Sequence, residues 1–147
     1  MNQSFMKLSV GIIAATALVA CGSDSTSPGV TAVGAYTAVQ WVTTGGSGQT
    51  NQLVAGSTLK ITLAGNGTTS GHLHIAASGG NPAFDADMAG TWTQDGMTVE
   101  FSQPADTFVR DMPFTLTANG GSSWDLVGDK TFAGTQIQLR LSQLGGI

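Results

Sequence analysis

His72 and His74 are the only imidazoles in this chain. Residues two apart on a strand project to the same side. A strand over Thr69–Ala76 therefore sets both rings on one face and Leu73 and Ile75 on the other. Two imidazoles can begin a Zn²⁺ or Cu²⁺ site, but at least a third ligand is needed. Asp85 and Asp87, in the loop after Pro82, are the candidates for it. Two solvent-facing histidines on a sheet are the simpler reading, and a metal module is kept as the lesser alternative.

The other acids are dispersed: Asp95, Glu100, Asp106, Asp111, Asp125 and Asp129. Glycoside hydrolysis needs two carboxylates in one cleft, whereas Asp95 belongs to a turn and Glu100 and Asp125 fall on an outward register. Asp85-Ala86-Asp87 lacks the dense oxygen-ligand spacing of a calcium loop. No Gly-x-Ser-x-Gly elbow stands between a strand and a helix, and the glycine-rich stretches lack the lysine of a phosphate loop. The expectation is a protein without catalysis and without a cofactor.

The one cysteine offers different chemistry. Lys7 is the only charge before it, and Leu8–Leu18 is an apolar stretch, shorter than the roughly 20 residues of a membrane-spanning helix. Residues 1–20 therefore read as a targeting segment. They end in Leu18-Val19-Ala20-Cys21, followed by Gly22-Ser23-Asp24-Ser25-Thr26-Ser27-Pro28. This arrangement resembles a bacterial lipoprotein signal peptide ending in a lipobox. The resemblance implies that residues 1–20 are removed and that Cys21 becomes the acylated, palmitate-bearing first residue. It also implies a place in the cell envelope, with the membrane as partner. Gly22, where an Asp would retain the protein, points to the outer membrane in a cell that has one. One acyl chain binds a bilayer only marginally, while several anchor it stably.

The 147-residue chain has a formal charge of −4. Loss of residues 1–20 removes Lys7 and no acid, leaving nine acidic against four basic side chains. Phosphate backbones repel such a domain, so no nucleic-acid partner is expected. Residues 21–33, rich in Ser, Thr, Gly and Pro, read as a flexible tether that cannot bury enough apolar area to order itself. Residues 34–147 suit one domain, which at this size buries roughly two-thirds of its unfolded surface.

That domain reads as all-β. No window keeps apolar residues at helical spacing, and the many glycines and threonines favour turns and strands. The clearest element is Gly90–Phe101, where Asp95-Gly96 predicts a two-residue hairpin turn with both positions at positive φ. This pairing sets Trp92 opposite Val99 and Gly90 opposite Phe101, with Trp92, Gln94, Met97, Val99 and Phe101 on one face. Ser57–Leu63 turns inward Leu59, Ile61 and Leu63, and Asn66-Gly67 leads into Thr69–Ala76. Met112–Ala118 contributes Phe114 and Leu116. Asn119-Gly120-Gly121 turns into Ser123–Val127, with Trp124 and Leu126 inward. Thr135–Leu141 alternates Ile137, Leu139 and Leu141 with polar residues. Ala35–Val42 is ambiguous, because both Tyr36/Ala38 and Val39/Trp41 could face the core. About eight hairpin-linked strands predict a small up-and-down antiparallel meander or barrel, closure removing the exposed edges.

The order Gly34-Ala35-Tyr36, then Gly65-Asn66-Gly67, then Gly90-Thr91-Trp92 hairpinned to Val99-x-Phe101, and finally Ile137-x-Leu139-x-Leu141 resembles the small bacterial lipocalin-like lipoproteins. It covers nearly all of Gly34–Ser142, with Tyr36 where lipocalins place Trp. A lipocalin-like barrel implies a small apolar ligand, or an envelope protein partner, met by the inner set Tyr36, Trp92, Gln94, Met97, Phe101, Phe114 and Trp124. Eight-stranded interiors can also fill with their own side chains, so the alternative is a structural envelope lipoprotein with no ligand.

Overall fold

The alternation along the chain produces ten strands and one short helix, seen in a computed structural model that describes residues 29–145. The segment read as a signal peptide, Cys21 and the first part of the tether lie outside the described residues. The elements are β1 (Gly34–Gly45), β2 (Gly48–Asn51), β3 (Thr58–Leu63), β4 (Thr68–Ile75), β5 (Phe84–Asp87), β6 (Gly90–Asp95) and β7 (Thr98–Ser102). They continue with α1 (Phe108–Asp111), β8 (Phe114–Ala118), β9 (Trp124–Phe132) and β10 (Thr135–Gln143). All ladders are antiparallel, in the order β1-β3-β4-β6-β7-β8-β9-β10, and β10 returns to β1 to close an eight-stranded up-and-down barrel. No helix among the described residues is long and apolar enough to cross a membrane.

The extra strands β2 and β5 were not legible as strands. β1 pairs with β3 only over Gly34–Thr37, and β2 takes the edge left over Val42–Gly45. β4 likewise meets β6 at Thr68 and Thr69, while β5 covers His72–Ile75. Both additions cover backbone edges where the barrel flares.

The interior holds Tyr36, Trp41, Leu59, Ile61, Leu63, Leu73, Val99, Phe101, Phe114, Leu116, Leu126, Leu139 and Leu141. The ambiguity of the first strand resolves through a β-bulge between Ala38 and Gln40. One extra residue flips the side-chain alternation, so Tyr36 and Ala38 face inward before it and Trp41 after it, while Val39 is exposed.

The Gly90–Phe101 hairpin forms, but in a different register. Asp95 pairs with Thr98, Gln94 with Val99 and Trp92 with Phe101. Gly96 and Met97 are thus the two loop residues; Gly96 has φ 59° and Met97 is not among the positive-φ residues. Glycine at the first central position suits a type II′ geometry, which leaves Asp95 in the strand. The slip is two residues, so side-chain parity is kept. Trp92, Gln94, Val99 and Phe101 still share a face, but Met97 leaves it for the turn, 42% exposed.

The strand starts and turns define two ends. The strap end gathers residues 29–33 with the turns after β3, β6 and β8. The helix end gathers the β1–β2 and β9–β10 hairpins, the β2–β3 and β4–β5 segments, and α1.

Candidate functional site

At the strap end the packed structure reaches back beyond Gly34. Ala32 is fully buried, and its carbonyl accepts the Tyr36 hydroxyl at 2.9 Å. The Gln94 carboxamide holds the same segment like a short piece of ladder. Its Oε1 accepts the Ala32 N–H at 2.8 Å, and its Nε2 donates to the carbonyls of Val30 and Gly96, each at 2.8 Å. The polar group expected to orient a ligand is thus engaged by the chain's own backbone. Burial pushes the Tyr36 phenol up to about 12, with the Asp125 carboxylate adding to the effect.

Beside this strap lies an open depression of about 660 Å³, lined by Val30, Thr31, Trp92, Gln94, Met97 and the glycines Gly29, Gly65, Gly67 and Gly96. Trp92 is half-buried there, its indole N–H donating to the Ala64 carbonyl at 3.0 Å. The structure therefore brings three of the seven nominated contact residues, Trp92, Gln94 and Met97, to one place. Phe101 and Phe114 lie deep in the barrel as an edge-to-face pair with centroids 5.4 Å apart. Tyr36 is buried beneath the strap. Trp124 is partly buried at the same end, outside the depression, where its backbone N–H donates to Gln143.

The sequence reading missed two participants. Ala32 and Val30 belong to a stretch that looks like linker, and only the alternation Val30-Thr31-Ala32-Val33 hints at a strand-like entry. Trp41, buried to 2%, is the largest core side chain, and it packs on Phe108 of α1 at 5.3 Å. The Trp41 indole N–H, Gln103 Oε1 and Thr107 Oγ1 are buried at the helix end without a hydrogen-bond partner. α1 itself is tied to β9 by Lys130 Nζ donating to the Asp111 carbonyl at 2.7 Å.

On the outer surface, β4 and β5 bring Asp85 between the two histidines. One carboxylate oxygen accepts from His72 Nε2 and from His74 Nδ1, both at 2.8 Å. The bonds from His74 and then His72 hold the Asp85 carboxyl below the usual aspartate range. Asp87 stands across the ladder from His72, but its Oδ1 accepts the Ala89 N–H instead. Among the described residues no group of three or more His, Cys, Asp or Glu is arranged to hold a metal ion. Asp125 keeps the outward register of its strand yet is buried, because the β8–β9 turn folds over it. Asn119 Nδ2 donates to it at 2.8 Å and Ser142 Oγ at 2.7 Å.

Strand order, closure and hairpin connectivity together define a small closed up-and-down β-barrel, strapped at one end by its own N-terminal approach. Searches against protein-family models, curated proteins and solved structures find no match for this chain.

Proposed function

We propose that this chain is a membrane-anchored, non-catalytic lipoprotein of lipocalin-like architecture, held in the cell envelope by lipid on Cys21. In a cell with two membranes its place is the outer one. Its barrel engages a small apolar group, or an apolar side chain of an envelope protein, at the strap end. One observation carries the choice of place. Tyr36, Trp41, Met88, Met112 and Phe114 fill the interior, while an apolar depression beside Trp92 stays open to solvent. Ligand sites are concave and mostly apolar; here Val30, Trp92 and Met97 supply the apolar wall, while Gln94 is engaged by the strap backbone.

The test is organic extraction and native mass spectrometry of the full-length protein purified from membranes. An acyl mass on Cys21 and a co-purifying small molecule or protein that is lost in Trp92→Ala support this reading. A clean mass that Trp92→Ala leaves unchanged favours the second reading, a structural envelope lipoprotein with no ligand. The filled core favours that alternative directly, since buried side chains already fill the interior, as small barrels allow.

A further inference from the structure

We propose that the strap end of the barrel lies against the lipid surface that holds Cys21, with the helix end pointing away. This rests on the lipoprotein reading above and adds an orientation that anchoring alone leaves open. Cys21 stands eight residues before Gly29, and eight residues reach at most about 26–29 Å when fully stretched. Gln94 pins Val30 and Ala32, so the chain leaves the barrel at that end and nowhere else. A segment of that maximum length brings the domain to the bilayer but does not choose which way it faces.

The surface chemistry of the two ends makes that choice. Val30 (41% exposed), Val33, Met97 and Leu144 (54%) stand out from the strap end. Among the described residues, 29–33 and the turns there carry no charge; the adjoining strand ends carry Asp95 and the buried Asp125. The helix end and its flank also expose Val54 and Phe84, but that end carries the charges Asp85, Asp87, Asp106, Arg110, Asp111, Asp129 and Lys130. Exposed apolar residues grouped where charge is scarce mark a contact surface, and apolar groups settle into the boundary between headgroups and acyl chains. An anionic lipid surface repels carboxylates within about one Debye length, roughly 8–10 Å. Turning the helix end toward the lipid would bring the acid-rich side inside that range.

The experiment uses the full-length lipidated protein in vesicles of phosphatidylethanolamine and phosphatidylglycerol containing nitroxide-labelled lipid. Met97→Cys, Leu144→Cys and Val54→Cys each place one reactive thiol for a fluorescent label, because Cys21 is capped by lipid. Val54, 84% exposed at the helix end, is the control. Mass spectrometry of the N-terminal peptide reports acylation of Cys21 in the same samples. An acylated Cys21 with fluorescence lost at 97 and 144 but retained at 54 supports the orientation. An acylated Cys21 with equal signals at all three positions, or quenching only at 54, overturns it and leaves the anchoring intact. An unacylated Cys21 overturns both together. Two reporters at the strap end keep the result decisive should one of those variants fold poorly.

Discussion

At the strap end, backbone closes the barrel: residues 29–33 are held there by hydrogen bonds with Gln94, Tyr36 and Gln143. At the helix end, side chains close it. Val109 of α1 and Met112 just after it are buried, and Phe108 packs on Trp41. There the satisfaction of polar groups is incomplete, with Trp41 Nε1, Gln103 Oε1 and Thr107 Oγ1 buried and unpartnered. A backbone closure held by a few hydrogen bonds can open locally at small cost, whereas a closure made of packed side chains opens only with the core. The strap end is therefore the end expected to open first, and the helix end the one that opens only with the core.

Substitutions at the two ends should separate these roles. The largest effect is expected at Trp41. Trp41→Ala opens a cavity under α1 and should cost about 3–5 kcal/mol, seen as one cooperative loss in a denaturant titration. Trp41→Phe keeps most of the ring and removes the unpaired N–H, so its cost should be about 1 kcal/mol or less. A drop as large as that of the alanine variant would break the idea that packing closes this end.

Tyr36 comes next. Its phenol binds its proton more tightly in the fold, so the stability this contributes is intact below pH 10 and is lost as the pH rises through about 12. Raising the phenol from 10.0 to about 12 corresponds to roughly 2–3 kcal/mol. Tyr36 is the only tyrosine, so the tyrosinate absorption band reports it alone. Ionisation should coincide with unfolding and not precede it; Tyr36→Phe should remove this part of the alkaline loss.

Gln94→Ala should cost about 1 kcal/mol, because a hydrogen bond exchanged for water is worth little net. Its signature is local. Amide exchange at Ala32 should rise sharply while exchange in β9 and β10 stays slow, and a uniform rise would erase the distinction between the two ends. The smallest change is a gain. Ala133, at φ 46° in the β9–β10 hairpin at the helix end, occupies a left-handed position that Asn tolerates better. Ala133→Asn should add about 0.5 kcal/mol, measured as a raised denaturation midpoint.

Particular residues show how far the chain could be read in advance. Leu59, Ile61 and Leu63, and Ile137, Leu139 and Leu141, declared their inward faces by simple alternation. Trp92 and Phe101 were placed on one face although their pairing was off by two residues, since an even slip preserves parity. Met97 was misplaced for the same reason: near the turn, the same slip moves a residue out of the strand. β2 is short, fully exposed and polar, so it carries no alternation to detect. The site was less legible. Gln94 and Trp92 are legible as a polar and an aromatic group on one face, but the partners of Gln94, Val30 and Ala32, sit more than 60 positions away.

Local sequence determined the eight barrel strands, which side of each is apolar, and where glycines permit a turn. These follow from steric preference and from burial on a period of two, both decided over a few neighbouring residues. The tertiary structure alone decided that β10 meets β1, that a bulge reconciles Tyr36 with Trp41, and that Asp85 bridges the two histidines. It alone decided that the approach to the barrel becomes part of it. Each of these depends on groups distant in the chain meeting at hydrogen-bonding distance, and no local pattern encodes that meeting.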